Sequence, residues 1–179
     1  MRYKILLVLY IVIAPLFAFS QSSPIKGPDD VRIYFEKTVQ NIKSTKDNGQ
    51  KIKTLAALRK FLRQEIEAKL KLLDSTYNES LEMENQLLAT KNKSIAKEVQ
   101  FVKSKLSLET AIYEQLNNYE YAFRNIFTYF VDRKRDKITD CEALDSSIVN
   151  AYLSTAPEGS ILPTHAKLAL ELTQNLCSK

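Results

Sequence analysis

The hydrophobic positions between residues 50 and 156 recur every three or four residues. Neither glycine nor proline occurs between Gly49 and Pro157, so the residues that most often interrupt regular structure are missing. This spacing is typical of an α-helix and not of a β-strand, in which apolar and polar residues alternate. The chain is therefore predicted to be all-α and built on very long helices. The pattern is carried by Leu55, Leu58, Leu62, Ile66, Leu70, Leu73, Tyr77, Leu81, Leu88, Ile95, Val99, Val102 and Leu106.

The long helical stretch is predicted to fold back on itself. A straight helix over residues 50–134 would be about 125 Å long at 1.5 Å per residue, which is implausible for one domain of this size. A turn in the polar segment 91–94 leaves two arms of similar length, residues 50–89 and 94–133. Arms of matching length are what an antiparallel hairpin requires. We therefore expect an elongated, coiled-coil-like helical hairpin.

A second polar segment, residues 74–79, offers an alternative place for a break. Thr76 and Glu79 in this segment have the spacing of a capping box, which marks the start of a helix. A kink near Asp74 is therefore the alternative to the turn at residues 91–94. In the preferred turn, Asn92 is the residue suited to a positive φ angle.

An amino-terminal helix is predicted to pack along the hairpin. Apolar residues at helical spacing place it over residues 30–46, after an extended leader over residues 21–29. Asp29 and Asp30 supply carboxylates where a helix amino terminus is stabilised by them. Gly49 is suited to the left-handed conformation that ends a helix.

The carboxy-terminal residues 138–179 are predicted to form a small helical cap. Its helices are a short one over Cys141–Leu153 and a last one that begins at Thr164. The two cysteines, Cys141 and Cys177, are predicted to form a disulfide, since an even pair in an exported chain is most simply one bridge. Two separate buried thiols are the alternative.

Residues 1–20 have the composition of a secretory signal peptide. Arg2 and Lys4 form a basic head, an apolar run over residues 5–19 follows, and small residues precede Gln21. The apolar run is shorter than the roughly 20 residues that span a bilayer, so an uncleaved membrane anchor is the less favoured alternative. We expect export to the periplasm or the extracellular space, and a single mature domain over residues 30–179.

The charge of the chain does not point to nucleic acid. The formal net charge is +5, and the loss of Arg2 and Lys4 with the signal peptide lowers it by two, to +3. Charges come in blocks: residues 50–73 are mainly basic, and residues 74–90 carry acidic residues without a basic one. Solvated helix faces with some pairing across the hairpin explain these blocks. A basic face that docks an acidic partner or the surface of an anionic membrane is the alternative.

One segment near the end of the second arm is unusually aromatic. Because it is apolar around much of its circumference, we expect it to be buried against several neighbouring helices. The alternative is an exposed interaction surface, since tyrosine is enriched at the centres of protein interfaces. The candidate residues are Tyr113, Tyr119, Tyr121, Phe123, Phe127, Tyr129 and Phe130.

Catalytic, metal-binding and cofactor-binding patterns are not found in the sequence. His165 is the single histidine, so zinc sites and catalytic triads lack partners, and we expect it to be a surface residue. The three glycines form no phosphate-binding loop. Clustered carboxylates leave a hydrolase as a remote alternative, although no apolar environment to raise a pKa is evident around them. These carboxylates are Glu79, Glu82 and Glu84, or Asp140, Glu142 and Asp145.

These observations favour a non-enzymatic helical protein that mediates protein–protein interactions in the bacterial envelope or the extracellular space. An accessory of a secretion system or of envelope assembly fits this description, and self-association is an alternative to a foreign protein partner. No cofactor is expected. A binder of lipid or of an apolar small molecule at the aromatic end of the bundle is the alternative function.

Overall fold

The computed structural model describes residues 25–133, 141–153 and 160–177. All regular structure in these ranges is helical and none of it is a strand, so the prediction of an all-α fold is confirmed. The predicted signal peptide, most of the extended leader, the first residues of the predicted cap and residues 154–159 of the loop after Leu153 lie outside the described residues.

Helix α1 spans Pro28–Ser44. Proline fits the first helical position, where its missing N–H costs no hydrogen bond, and this starts the helix earlier than predicted. The Asp30 carboxylate accepts hydrogen bonds from the N–H groups of Lys26 and Gly27, both at 2.9 Å, and so fixes the entry of the chain. The face that α1 buries consists of Val31, Phe35, Val39 and Ile42.

Helix α2 spans Asn48–Thr90 without a break. Its amino terminus is capped by Asp47, whose carboxylate accepts the N–H of Gln50. The expectation that Gly49 ends the preceding helix is therefore wrong, because the cap starts a new helix and places Gly49 in its first turn. The alternative break near Asp74 is also absent, since the helix continues through it.

The turn between the two long helices consists of Lys91 and Asn92, inside the segment predicted to turn. Lys91, and not Asn92, takes the left-handed conformation, with φ 51° and ψ 30°, and its N–H donates to the carbonyl oxygen of Leu87 at 2.8 Å. Asn92 instead caps helix α3, Lys93–Ile126, because its side-chain oxygen accepts the N–H of Ser94 at 2.8 Å.

Helices α2 and α3 lie side by side and run in opposite directions. Lys69 Nζ lies 2.6 Å from Glu109 Oε2, and Lys103 Nζ lies 2.5 Å from Glu84 Oε1. Residue numbers therefore rise along one helix as they fall along the other. The pairing of charges across the two helices, expected from the charge blocks, is found at these positions.

Helix α3 widens at its end into a π-helical segment, Phe127–Asp132. The N–H of Arg133 donates to the carbonyl oxygen of Thr128, five residues earlier, at 3.1 Å. Arg59 of α2 pairs with Asp132 and lies 5.9 Å from the centre of the Phe127 ring, so the segment is held against α2.

Two short helices, α4 (Cys141–Leu153) and α5 (Thr164–Cys177), follow the long pair. Helix α4 packs on α5 and α3, and α5 packs also on α1. The hydrophobic core thus lies at one end of the long helices, which we call the proximal part: residues 48–69 and 112–132 with α1, α4 and α5. The distal part consists of residues 70–111, on either side of the turn.

Candidate functional site

Four of the seven aromatic side chains that were predicted to form one cluster are buried in the proximal core. The Phe35 ring of α1 stacks on Tyr119 at 4.2 Å and meets Phe123 edge-on at 5.3 Å. Phe127 and Phe130 are 2% exposed. These four side chains are buried as the favoured interpretation of the segment expects, and the alternative, an exposed interaction surface, does not hold for them.

The remaining three aromatic residues do not lie together on one surface. Tyr121 is 46% exposed, with its ring 5.5 Å from Tyr152 of α4 and 5.4 Å from the guanidinium of Arg124. Tyr113 and Tyr129 are partly exposed. The cluster is divided because its members point to different sides of α3, where α1, α2 and α4 each cover a part.

His165 lies in a groove and is not a fully exposed surface residue as expected. Its imidazole lies 5.8 Å from the Tyr119 ring and 5.3 Å from the Tyr152 ring, and burial lowers its pKa. Burial likewise raises the pKa of Tyr119 to about 12, so this phenol stays protonated at neutral pH. The groove, of about 380 Å³, is lined by Pro28, Asp29, Arg32, Gln115, Tyr119, Pro163, Thr164 and His165.

The charge in this groove is largely compensated. Arg32 Nη1 donates to both carboxylate oxygens of Glu36, at 3.0 and 3.1 Å, and the hydrogen bond raises the pKa of the guanidinium. Asp29 lies 4.0 Å from the same guanidinium. The groove can therefore offer hydrogen bonds to a small polar molecule, but it does not hold a free cation for an anion.

The clustered carboxylates do not form a common site in the described residues. Glu79 and Glu82 are exposed on α2, and Glu84 pairs with Lys103. No environment that raises a carboxylate pKa was expected, but Asp145 has one. One of its oxygens is buried without a hydrogen-bond partner, and burial raises its pKa. Asp140 lies outside the described residues. Over the described ranges, no group of three histidine, cysteine, aspartate or glutamate side chains could hold a metal ion.

The predicted bridge between Cys141 and Cys177 involves a side chain that lies outside the described part of the chain. Cys141 is the first residue of α4 and Cys177 the last residue of α5. No free cysteine is present among the described residues. The pairing stays a prediction.

Six large apolar side chains are exposed in the distal part, where α1, α4 and α5 do not reach. Leu88 is 75% exposed and Phe101 is 73% exposed. Between the long helices the distal interface buries Val99 and Val102 of α3, and on the α2 side it buries the small polar side chains of Thr76 and Ser80. The exposed set consists of Leu70, Tyr77, Leu81, Leu88, Phe101 and Leu108.

The sequence contains a signal for these exposed residues in their angular positions around α2. At 100° per residue, Leu70, Tyr77, Leu81 and Leu88 fall within about 20° of one line along α2. The buried residues Leu55, Leu58 and Leu62 fall about a quarter of a turn away from this line. Two apolar lines on one helix indicate two contacts, and the described helices supply only one of them. We call Leu70, Tyr77, Leu81 and Leu88 the α2 stripe, and Phe101 and Leu108 the α3 stripe.

Near the turn, the two long helices leave a shallow groove of about 330 Å³. It is lined by Leu87, Leu88, Ala96 and Val99, and the ion pair of Glu84 with Lys103 borders it. The distal part thus combines exposed side chains with an apolar groove, which is a suitable surface for another protein.

Comparison of the chain with protein-family models, with curated proteins and with solved structures finds no match. Among the helices described, none is long and apolar enough to cross a membrane. Evidence for the function therefore comes from the geometry of the described residues.

Proposed function

We propose that the protein is an exported, non-enzymatic helical protein that mediates protein–protein interactions in the bacterial envelope or the extracellular space. The contact is made by the distal part of α2 and α3 and not by the aromatic end, whose rings are mostly buried. The observation that supports this proposal is the exposure of six large apolar side chains beyond the reach of the other helices. Contiguous exposed apolar surface is found at interaction sites, and Leu88 of the α2 stripe also lines the apolar groove near the turn.

Two finer features of the fold belong to the same proposal. The long helices form an elongated, coiled-coil-like hairpin that carries the binding surface away from the core. The cap is tied by a disulfide between Cys141 and Cys177. Support comes from the contact of Tyr152, at the end of α4, with His165, at the start of α5, at 5.3 Å. Two packed helices of similar length that meet there also bring the start of α4 near the end of α5.

The proposal is tested by cross-linking the tagged protein in its own cells and identifying the recovered proteins by mass spectrometry. We expect the double variant Tyr77→Ser/Leu81→Ser to lose the cross-linked species that the unaltered protein gives. The matched control is Glu82→Ser/Ala89→Ser, two exposed positions on the outer edge of α2, away from α3 and from the α2 stripe, which should keep those species. Equal recovery from all three proteins would contradict a contact through the distal part.

A second candidate function is the binding of a small molecule at the aromatic end. The groove beside Tyr119 and His165 supports it, although the polar lining fits a polar molecule better than a lipid. Native protein would then yield a stoichiometric compound on extraction, and Gln115→Ala would reduce its amount. Protein from which no compound can be extracted, with unchanged melting temperature in cell extract, would contradict this candidate.

A further inference from the structure

The two exposed stripes lie on opposite sides of the long helix pair, and helix α1 shows which side each one occupies. Phe61 of α2 stacks on Tyr34 of α1 at 4.2 Å, so it faces α1. Leu70 follows Phe61 by about two and a half turns and therefore points to the opposite side. Tyr119 of α3 stacks on Phe35 of α1, and Phe101 precedes it by about five full turns. The α3 stripe therefore lies on the α1 side and the α2 stripe on the other.

The two stripes are bordered by charges of opposite sign. Asp74 and Glu84 each lie about 40° from the line of the α2 stripe, and residues 74–90 contain no basic residue. Lys97 and Lys105 lie one turn before and one turn after Phe101, also about 40° to either side, and the acidic Glu98 lies further out, at about 60°. Within the described residues, Asp74 and the two lysines take part in no ion pair, whereas Glu84 is paired with Lys103 of its own chain. Each stripe thus has an apolar centre, and the charge along its border is mainly opposite in sign to the charge along the border of the other stripe.

The residues of the two stripes and their charged borders also lie at similar distances from the turn. At 1.5 Å per residue, Leu81 lies about 16 Å from the turn and Phe101 about 14 Å from it. Glu84 and Lys97 lie at about 11 and 8 Å, and Asp74 and Lys105 at about 26 and 20 Å. Two copies that point the same way can therefore set the α2 stripe of one against the α3 stripe of the other, with apolar and charged residues opposite each other.

We propose that a second copy of this chain occupies the α2 stripe, through its α3 stripe, in a head-to-tail contact between copies. This inference rests on the proposed function, because it names the partner of the same distal surface. A symmetric dimer through two α2 stripes is disfavoured, since it places Asp74 and Glu84 of both copies together. Because the two stripes lie on opposite sides, each bound copy leaves one stripe free, and the assembly grows until it closes into a ring or remains open.

Sedimentation velocity of the purified protein over a range of concentrations tests this contact. We expect the average mass to rise with concentration, and the rise to weaken at high salt, because exposed charges are screened. Asp74→Lys alone and Lys105→Glu alone should each abolish the rise, since each places like charges opposite each other. Glu82→Lys makes the same charge change on the outer edge of α2, about 120° from the α2 stripe and away from α3, and should leave the rise intact.

Mixing the two charge variants gives the decisive result. The lysine that the first substitution places at position 74 would face the glutamate that the second places at position 105, so the mixture should associate although neither variant does alone. Circular dichroism of each variant checks that its helix content is unchanged. If the chain stays monomeric at all concentrations, or if the variants associate like the unaltered protein, the proposal that a second copy is the partner is wrong. Cross-linking to a different protein in cells would then still support the proposed function, so the two failures can be told apart.

Discussion

The proximal and distal parts of the long helices are built from the same apolar periodicity, yet they pack differently. In the proximal part, α2 and α3 are covered by α1, α4 and α5, and aromatic rings such as Phe35 and Phe123 are fully buried. In the distal part the same two helices have only each other, so their second apolar line remains exposed. An apolar repeat therefore defines a surface along a helix, and the presence of neighbouring helices decides whether that surface is buried as core.

The removal of one aromatic ring should lower the free energy of unfolding far more in the proximal part than in the distal part. Phe123→Ala should lower the free energy of unfolding by about 3–5 kcal/mol, because it leaves a cavity in the proximal core. Phe101→Ala should change it by no more than about 0.5 kcal/mol, since that ring is 73% exposed. Urea unfolding of both variants measures the difference. Similar losses would mean that the distal ring is also part of the core.

A smaller effect is expected at the border between the parts, where Lys69 and Glu109 form an ion pair at 2.6 Å. The two side chains are only 12% and 14% exposed. Lys69→Met should cost about 2–3 kcal/mol, because it leaves the Glu109 carboxylate poorly solvated and unpaired. The double variant Lys69→Met/Glu109→Leu should recover most of this loss in the same urea experiment. A double variant no more stable than the single one would show that the unpaired charge of Glu109 does not cause the loss of stability.

Thr76 offers a stabilising change in the distal interface. Thr76 is only 1% exposed, and its hydroxyl oxygen is buried without a hydrogen-bond partner. Thr76→Val replaces the hydroxyl with a methyl group of similar shape and should raise the free energy of unfolding by about 1 kcal/mol. Thermal unfolding would show a higher midpoint, and Thr90→Val, at an exposed position, is the control that should show none. A lower midpoint would mean that a water molecule satisfies the hydroxyl.

The smallest effect is a pH dependence in the proximal part. Burial between Tyr119 and Tyr152 lowers the pKa of His165 below its usual 6.5, so the unfolded chain binds a proton more readily than the folded one. Stability from this group is present above pH 6.5 and is lost as the pH falls through that value toward the folded pKa. We expect the melting temperature of the protein to fall more between about pH 7.5 and 5.5 than that of His165→Gln. Equal falls would contradict the burial of the imidazole.

The sequence predicts the elements of this fold better than it predicts their packing. The apolar period gives the helices, and the polar segment around Asn92 gives the turn, because both are local properties of the chain. Neighbouring turn residues can favour different structures. Gly49 favours the end of a helix, but Asp47, two residues earlier, caps the start of another. Such competition between neighbouring turn residues is decided by the packing of both helices and not by composition.

The candidate site was less predictable, because it depends on which side of a helix meets a neighbour. The seven aromatic residues are close in sequence, yet α1 covers Tyr119 while Tyr121 is exposed. In the distal part, Thr76 and Ser80 face inward and the leucines of the α2 stripe face outward, against the usual preference of both residue types. A periodic pattern alone cannot assign two apolar lines to a core and to a surface.

The most direct test of the distal surface is a photoreactive amino acid placed at single positions of the exported protein in its own cells. Position 81, in the α2 stripe, should give a defined cross-linked product on irradiation, and so should position 101 in the α3 stripe. Position 82, on the outer edge of α2, and position 121, at the aromatic end, should give none. Products from position 121 alone, or none from 81 and 101, would contradict the claim that the distal part of the long helices is the site of protein contact.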